Sequence, residues 1–591
     1  MRIKWFSLVR IVGLLLVLLY HFYKTRYTGG FIGVDVFYTF SGYLITGLLL
    51  DQYANKQRID LLEFYRRRFY RIVPPLVLMI LVVLPFTFLV KQDFVADIGQ
   101  QIGAALGFTT NFYEIFTGSS YESQFIPHLF VHTWSLAIEV QFYLLWAFIL
   151  WLLAKKKLST QKFRGTVFVV SSILFVVGFL SMFVRAFFVD NFSTIYFSSV
   201  NHSFAFFLGA MFATLTGIKE TTVRFRKNVE RWPKSRTLFY FIGSASLLFL
   251  LSVVLDFNQL LTYLFGFVLA SLFSAVMIYS ARVLNDQTPT IKEPVFVTYL
   301  ADISYGMYLF HWPFYVIFTQ LMPNNLAVFL TILFSAIFSS LSFYVLEPFI
   351  AGKPVVLFDY ELDLQGFKKW LYGLAGLLVL VMMVIVIRAP KIGDFEKNLL
   401  VNSLNQAQAN VNRTHTLIAG DANAMSDVMV IGDSVALRSS DTFTELLPEV
   451  QLDAAVSRNF TDAYSIFQNH VKNNTLSKTV VLAVGVNSVD GYASAIQPFI
   501  DELPKGYRLV LVTAYNAKDS RVASMRDYEL TLAKKYKYVT VADWYKTAVE
   551  NPTIWRGTDG VHYSDTGTDG AKLYVETIQK AIKKAAKNPA K

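Results

Sequence analysis

Three short stretches near the carboxyl end carry the residue types of acyl-transfer chemistry. Ile431-Gly432-Asp433-Ser434 closes the β-branched run 428–432, and a helical pattern follows. A serine there would sit at a strand's carboxyl end and a helix N-terminus, where α/β domains bind ligands and backbone N–H groups favour developing negative charge. Asp433 or Ser434 could equally be a plain helix cap. The stretch Trp555-Arg556-Gly557-Thr558-Asp559-Gly560-Val561-His562 lies in a Gly-rich loop before the last helical pattern. Asp559 can orient the His562 imidazole through Nδ1 and leave Nε2 as a base. Gly485-Val486-Asn487 follows the run 479–484, where the Asn amide could join an oxyanion hole. A lone loop histidine is usually just solvated, but nucleophile, base and oxyanion donor at three such junctions point to catalysis.

A second set of ionisable residues lies within long apolar runs, where charge is costly and functional by default. Arg10 and His21 are eleven positions apart, about three helical turns, and so share nearly one face. Asp35, His132, Glu139, Asp302, His311 and Glu347 follow in later runs. Pairing across helices explains Arg10, Asp302 and Glu347 at least as well as catalysis does. His21 reads as a general base, because an imidazole can exchange protons near neutrality.

These residues need a bilayer and a soluble domain to hold them. The 591 residues are 54% hydrophobic and only 16% charged, against about a quarter charged in ordinary soluble proteins. Eleven apolar stretches are long enough to span about 30 Å of hydrocarbon: 7–23, 31–50, 72–90, 133–154, 166–189, 202–217, 237–255, 259–282, 297–318, 326–347 and 370–388. Loops 51–71, 155–165 and 218–236 hold eighteen Lys/Arg and five acidic residues, whereas loops 190–201, 256–258 and 319–325 hold no Lys or Arg. Basic and non-basic loops alternate only if 103–118 does not cross, so it reads as re-entrant or interfacial. The positive-inside rule then puts the N-terminus in the cytoplasm and everything after 388 outside. The net charge of +12 is thus a topology signal, which argues against nucleic-acid binding. With no cysteine, disulfides, iron–sulfur clusters and a thiol nucleophile are excluded. Separately, no metal site is expected.

After residue 388 the composition changes. Segment 395–425 is polar and reads as a stalk, helical in part. Beyond it, apolar runs at 428–432, 450–456, 479–484, 508–514 and 538–543 alternate with helical patterns at 460–474, 492–503, 521–536 and 568–587. Alternation of this kind predicts a three-layer α/β domain with a parallel sheet. The expected organisation is a polytopic helical membrane domain (1–350), a connecting region with the last span and the stalk (351–425), and an extracellular α/β domain (426–591).

The exported residues resemble the SGNH (GDSL-type) hydrolase and acyltransferase superfamily. The resemblance implies Ser434 as nucleophile, His562 as base and Asp559 as its orienting partner. It also implies an oxyanion hole from the Ser434 N–H, Asn487 and a Gly after the second strand; here Val456-Ser457-Arg458-Asn459 has no Gly, so either the Ser457 N–H serves in its place or the hole is incomplete. The membrane part resembles the acyltransferase-3 family, through the Arg10-to-His21 spacing and the Gly33–Phe37 stretch with Ser41-Gly42. Arg67-Arg68 with Arg71, His132–Leu136 with Glu139, Tyr308–Pro313 and Glu347-Pro348 complete the match. Val140 departs from it, standing where the family often has a second Glu. Membership implies His21 as an essential catalytic residue and acetyl-CoA as the donor substrate, with no permanently bound cofactor. Arg67, Arg68 and Arg71 could receive the CoA phosphates, or be ordinary positive-inside charge.

Together the halves resemble the two-domain peptidoglycan O-acetyltransferases of Gram-positive bacteria, which implies peptidoglycan glycan strands as acceptor. Acetylation of another exported or lipid-linked glycan, an exported carbohydrate esterase, and a non-enzymatic transporter with a binding domain remain open on the sequence alone.

Overall fold

The computed structural model describes residues 3–591 apart from 118–127, 190, 358, 359, 363, 365, 367, 419–426, 490, 518, 520, 556, 557, 559 and 565–568. The chain divides into two compact units, Met1–Lys391 and Ile392–Lys591. Asp559, expected to orient His562, lies outside the described residues.

Each of the eleven apolar stretches is helical. Among the described residues eight helices are long and apolar enough to cross a membrane, which makes the first unit a multi-pass helical bundle. Phe6–Phe22 and Ser203–Thr216 are apolar but shorter, and Val295–Leu321 is long but interrupted by polar groups such as Asp302 and His311. Residues 98–116 form two short helices, Ile98–Leu106 and Thr110–Phe116, of 9 and 7 residues. Neither is long enough to span the hydrocarbon. An antiparallel hairpin, β1 (Val355–Leu357) with β2 (Tyr360–Leu362), follows the bundle core.

Lipid tails are as apolar as leucine, so bundle helices associate through close packing and internal hydrogen bonds. Gly30–Lys56, which contains the α-helix Gly33–Lys56, is the most enclosed of these eight spans, with 83% of its apolar window buried. It meets Ser203–Thr216 backbone to backbone. A Cβ on Gly42 would lie 1.9 Å from the Phe206 carbonyl oxygen, and one on Gly209 would lie 1.9 Å from that of Thr39. Two glycines facing opposite ways thus set the approach of the helices that carry Asp35, Ser41 and His202.

The second unit is built on a parallel sheet of β3 (Val428–Gly432), β4 (Gln451–Ala454), β5 (Thr479–Ala483), β6 (Arg508–Val512) and β7 (Val539–Ala542). Its spatial order is β4-β3-β5-β6-β7. Alternate residues serve two cores. Val430, Val481 and Val510 pack on the face covered by the Gly570–Lys587 helix. Met429, Val480 and Leu509 pack on the face of Phe460–Lys472, Tyr492–Glu502 and Arg521–Lys535. Burial on both faces explains why the strands read as continuous apolar runs. The chain leaves β3 to one side for β4 and then crosses to the other for β5. The resulting switch point lies beside β3, where doubly wound sheets bind ligands.

The segment read as a stalk is more tightly used than its composition suggested. Asp394–Ile418 is a helix whose Leu399 is buried in the sheet's core. Gln406 Nε2 donates to the Ala454 carbonyl at 2.8 Å, and its Oε1 accepts from the Ala454 N–H at 3.0 Å. One side chain thereby caps the open edge of β4, a place where strands otherwise recruit other chains.

Gly209→Ala is expected to destabilise the bundle by about 1–3 kcal/mol, the usual cost of overpacking. The measurement is thermal inactivation of detergent-solubilised protein; an unchanged profile would mean that the two helices can part without cost.

Candidate active site

Ser434 opens the short helix Ser434–Arg438 directly after β3. Gly432 is required there by packing, since a Cβ would come 2.3 Å from that of Ala436. Asp433 caps the helix, its carboxylate accepting the Val435 N–H at 3.0 Å. Ser434 and His562 are each 2% exposed, and Ser434 Oγ lies 2.8 Å from His562 Nε2. The hydroxyl proton can pass directly to an imidazole whose Nε2 holds the lone pair. The loop presenting His562 is pinned on both sides. Gly560, at φ 86°, accepts the Ala517 N–H at 2.8 Å, and Ser564 N–H donates to the Ile554 carbonyl at 2.7 Å. Buried Tyr563 hydrogen-bonds the Ser439 hydroxyl.

The candidate oxyanion donors come from the carboxyl ends of three adjacent strands: Ser434 after β3, Ser457 after β4 and Asn487 after β5. Ser457, where the resemblance implies a Gly, has φ 59°, in the left-handed region that favours glycine. The next residue, Arg458, was not picked out in the sequence. Its guanidinium is buried and donates to the Gly432 carbonyl at 3.2 Å, to the Asp453 carbonyl, and to Asp453 Oδ1 at 2.7 Å. Its own carbonyl accepts from Asn487 Nδ2 at 3.4 Å. Arg458 thus ties together the three strand ends that carry the donors. A lone Arg just beyond an apolar strand was the available signal.

In the first unit the candidates separate into two groups. Arg10, Arg68, Arg71 and Glu139 line a cavity of about 460 Å³ with otherwise largely apolar walls, which Ser135 and Tyr308 also line. Glu139 is held by hydrogen bonds from Ser41 and Tyr143. Arg67 is outside this lining; its side chain is 61% exposed and pairs with Glu63 at 2.8 Å. His21, His132 and His311 form a separate cluster. His21 Nδ1 lies 2.8 Å from His311 Nε2, and His132 Nε2 lies 2.9 Å from the Leu309 carbonyl. Arg10 and His21 therefore share a helix but serve different places. Asp35 joins neither group: it is fully buried and faces His202 Nε2 at 3.2 Å. Sequence reasoning missed His202 and also the pair His128–Glu114 at 2.9 Å, because each joins residues far apart or outside the long apolar runs.

The residue 3–345 region matches the family model described as an acyltransferase domain (Acyl_transf_3). O-acetyltransferase OatA of Staphylococcus aureus strain NCTC 8325 / PS 47 is 27% identical over 602 residues, covering 95% of this chain and 94% of that protein. OatA of S. aureus strain MRSA252 gives the same identity and coverage. The solved C-terminal catalytic domain of Streptococcus pneumoniae peptidoglycan O-acetyltransferase A, carrying a methylsulfonyl adduct, is 39% identical. It aligns with 28% of this chain and 97% of that domain, at a TM-score of 0.27.

Burial raises the Asp433 carboxyl to about 6, opposed by the N–H groups of Val435, Ala436 and Val486 and by nearby His562. The folded form holds this proton more tightly than the unfolded one. The linked stability is therefore complete below the ordinary carboxyl value of about 3.9 and is lost as pH rises through about 6. The difference corresponds to about 3 kcal/mol. Asp433→Asn should flatten the Tm-versus-pH curve of the 392–591 unit between about pH 4 and 7; retention of the wild-type slope would assign the titration to another group.

Proposed function

This chain belongs to the acyltransferase family whose domain model it matches, and on that premise we propose that it O-acetylates cell-wall peptidoglycan, using acetyl-CoA from the cytoplasm. The observation that carries the reading is the buried Ser434–His562 contact at 2.8 Å, in the same chain as a largely apolar cavity carrying arginines and an imidazole cluster inside a membrane bundle. A hydrolase acting alone outside the cell has no use for the membrane half. In this reading the N-terminus is cytoplasmic and the 392–591 unit extracellular, as the basic loops require.

The cavity lined by Arg10, Arg68 and Arg71 suits the donor, because guanidinium groups bind phosphate while apolar walls accept the pantetheine arm. His21 acts beyond it as the general base of the membrane half-reaction. Outside, the Ser434 hydroxyl attacks the acetyl carbonyl of the incoming donor as His562 Nε2 takes its proton. The oxyanion is held by the Ser434 N–H, Asn487 Nδ2 and the Ser457 N–H. Collapse expels the donor's leaving group, which receives the proton from His562, and leaves acetyl on Ser434 Oγ. A sugar hydroxyl, the C6 hydroxyl of N-acetylmuramic acid, then attacks this ester. His562 takes the sugar proton and returns it to Ser434 Oγ, and the acetylated glycan departs. Burial of both Ser434 and His562 to 2% exposure limits competing attack by water.

Ser434→Ala should abolish base-releasable acetate in the wall while the protein stays in the membrane. His21→Ala should give the same wall phenotype, with the full-length variant still hydrolysing an activated acetyl ester at Ser434. Undiminished wall acetate in the first variant, or loss of ester hydrolysis in the second, would contradict this two-stage scheme.

A further inference from the structure

His21 lies in the last turn of Phe6–Phe22, and its imidazole meets that of His311, on Val295–Leu321. The two rings are nearly coplanar, at 15°, with centroids 5.0 Å apart. With Nδ1 of one 2.8 Å from Nε2 of the other, this is the arrangement of a straight N–H···N bond. Which nitrogen carries the proton follows from the carbonyls around His311. Its Nδ1 faces the Tyr308 oxygen at 2.6 Å and the Met307 oxygen at 3.1 Å. Carbonyls only accept, so His311 Nδ1 must carry a hydrogen, and the lone pair of the neutral ring sits on Nε2. His21 Nδ1 is then the donor, and the lone pair of His21 is on Nε2.

A carboxylate would do the same orienting work, as in the Ser-His-Asp triads, but it would place a net charge in the hydrocarbon, which is costly when unpaired. An imidazole acceptor, fully buried as His311 is, avoids that charge in the resting state. Trp312 covers the His21 ring at 4.6 Å and donates its indole N–H to the His128 carbonyl at 3.2 Å, which fixes a further contact of the imidazole. Tyr308 links this arrangement to the donor cavity. Its side chain lines the cavity and its hydroxyl donates to the His132 carbonyl at 2.8 Å, while its own carbonyl holds His311.

We propose that His311 is the positioning residue of His21: it accepts the Nδ1 proton, fixes the tautomer that leaves Nε2 as the base, and stabilises the imidazolium formed when Nε2 takes a proton. This rests on the reading of His21 as the base of the membrane half-reaction. Simple helix-to-helix bonding would need the contact but not its direction, and the two roles differ in what a variant does to turnover.

The test uses purified full-length protein with acetyl-CoA and a chito-oligosaccharide acceptor. The chain has no cysteine, so a thiol reagent counts only released CoA. His311→Leu should lower the rate at saturating acetyl-CoA by about 100-fold or more, since loss of a histidine's orienting partner costs from about 10-fold to about 10⁴-fold. Its KM for acetyl-CoA should stay within about threefold of wild type, because donor binding lies elsewhere. His311→Gln places an amide oxygen near the Nε2 position and should recover the rate to within about tenfold of wild type, as an acceptor is restored. A wild-type rate in His311→Leu would overturn the proposal, as would a loss carried by KM or a Gln variant no better than Leu. His21→Ala is measured in parallel. If it stays active, the reading of His21 fails; if it is inactive while His311→Leu is fully active, only the role of His311 fails.

Discussion

A serine hydroxyl and an imidazole nitrogen 2.8 Å apart, contributed by residues 128 positions apart, are the contact on which the second unit converges. It exists because the sheet is parallel and doubly wound. Parallel strands bring all their carboxyl ends to one edge, and the reversal of direction beside β3 opens a crevice there. Ser434 leaves β3 into that crevice, and Ser457 and Asn487 leave the strands on either side. Arg458 then joins the three strand ends through four hydrogen bonds. His562 arrives last, on a loop held by Ala517, Ile554 and Tyr563. Two apolar cores, one on each face, provide the rigidity that such a contact needs.

The membrane unit answers to a different constraint. Water is scarce inside it, so each functional side chain needs a protein partner. Glu139 has Ser41 and Tyr143, Asp35 has His202, Glu114 has His128, and His21 has His311. The Glu139–Ser41, Asp35–His202 and His21–His311 pairs join helices remote in sequence, and the glycine contact between Gly33–Lys56 and Ser203–Thr216 allows the approach that one of them requires. The cavity with its arginines and the imidazole cluster are adjacent but separate, joined through Tyr308. Such an arrangement suits an acyl group that is bound as a thioester in one place and released in another.

Local physics was readable in the sequence. Apolar runs of the right length became helices, and β-branched runs flanked by helical patterns became the five strands, with no end off by more than two residues. The junction chemistry of Ser434 and His562 was readable too, because strand–turn–helix sites recur in α/β domains. Long-range pairing was not readable. Nothing near His21 announces a partner 290 residues away, and Arg458 looks like a surface charge until its guanidinium is seen bridging two strands. The helix Asp394–Ile418 was underread because its polar face dominates its composition, whereas Leu399 and Gln406 suffice to dock it. Ser457 shows the opposite case: the residue departs from the expected glycine, but its φ of 59° lies in the region that favours glycine.

The central claim is that acetyl rests on Ser434 between donor and glycan. It is tested most directly by incubating the purified full-length protein with acetyl-CoA in the absence of acceptor and mapping acetyl groups by peptide mass spectrometry. The expected result is acetyl on the peptide containing Ser434, removed when a glycan acceptor is added and absent from His21→Ala. Turnover to acetylated glycan with no acetyl ever found on Ser434, under conditions that trap it on other residues, would contradict the claim.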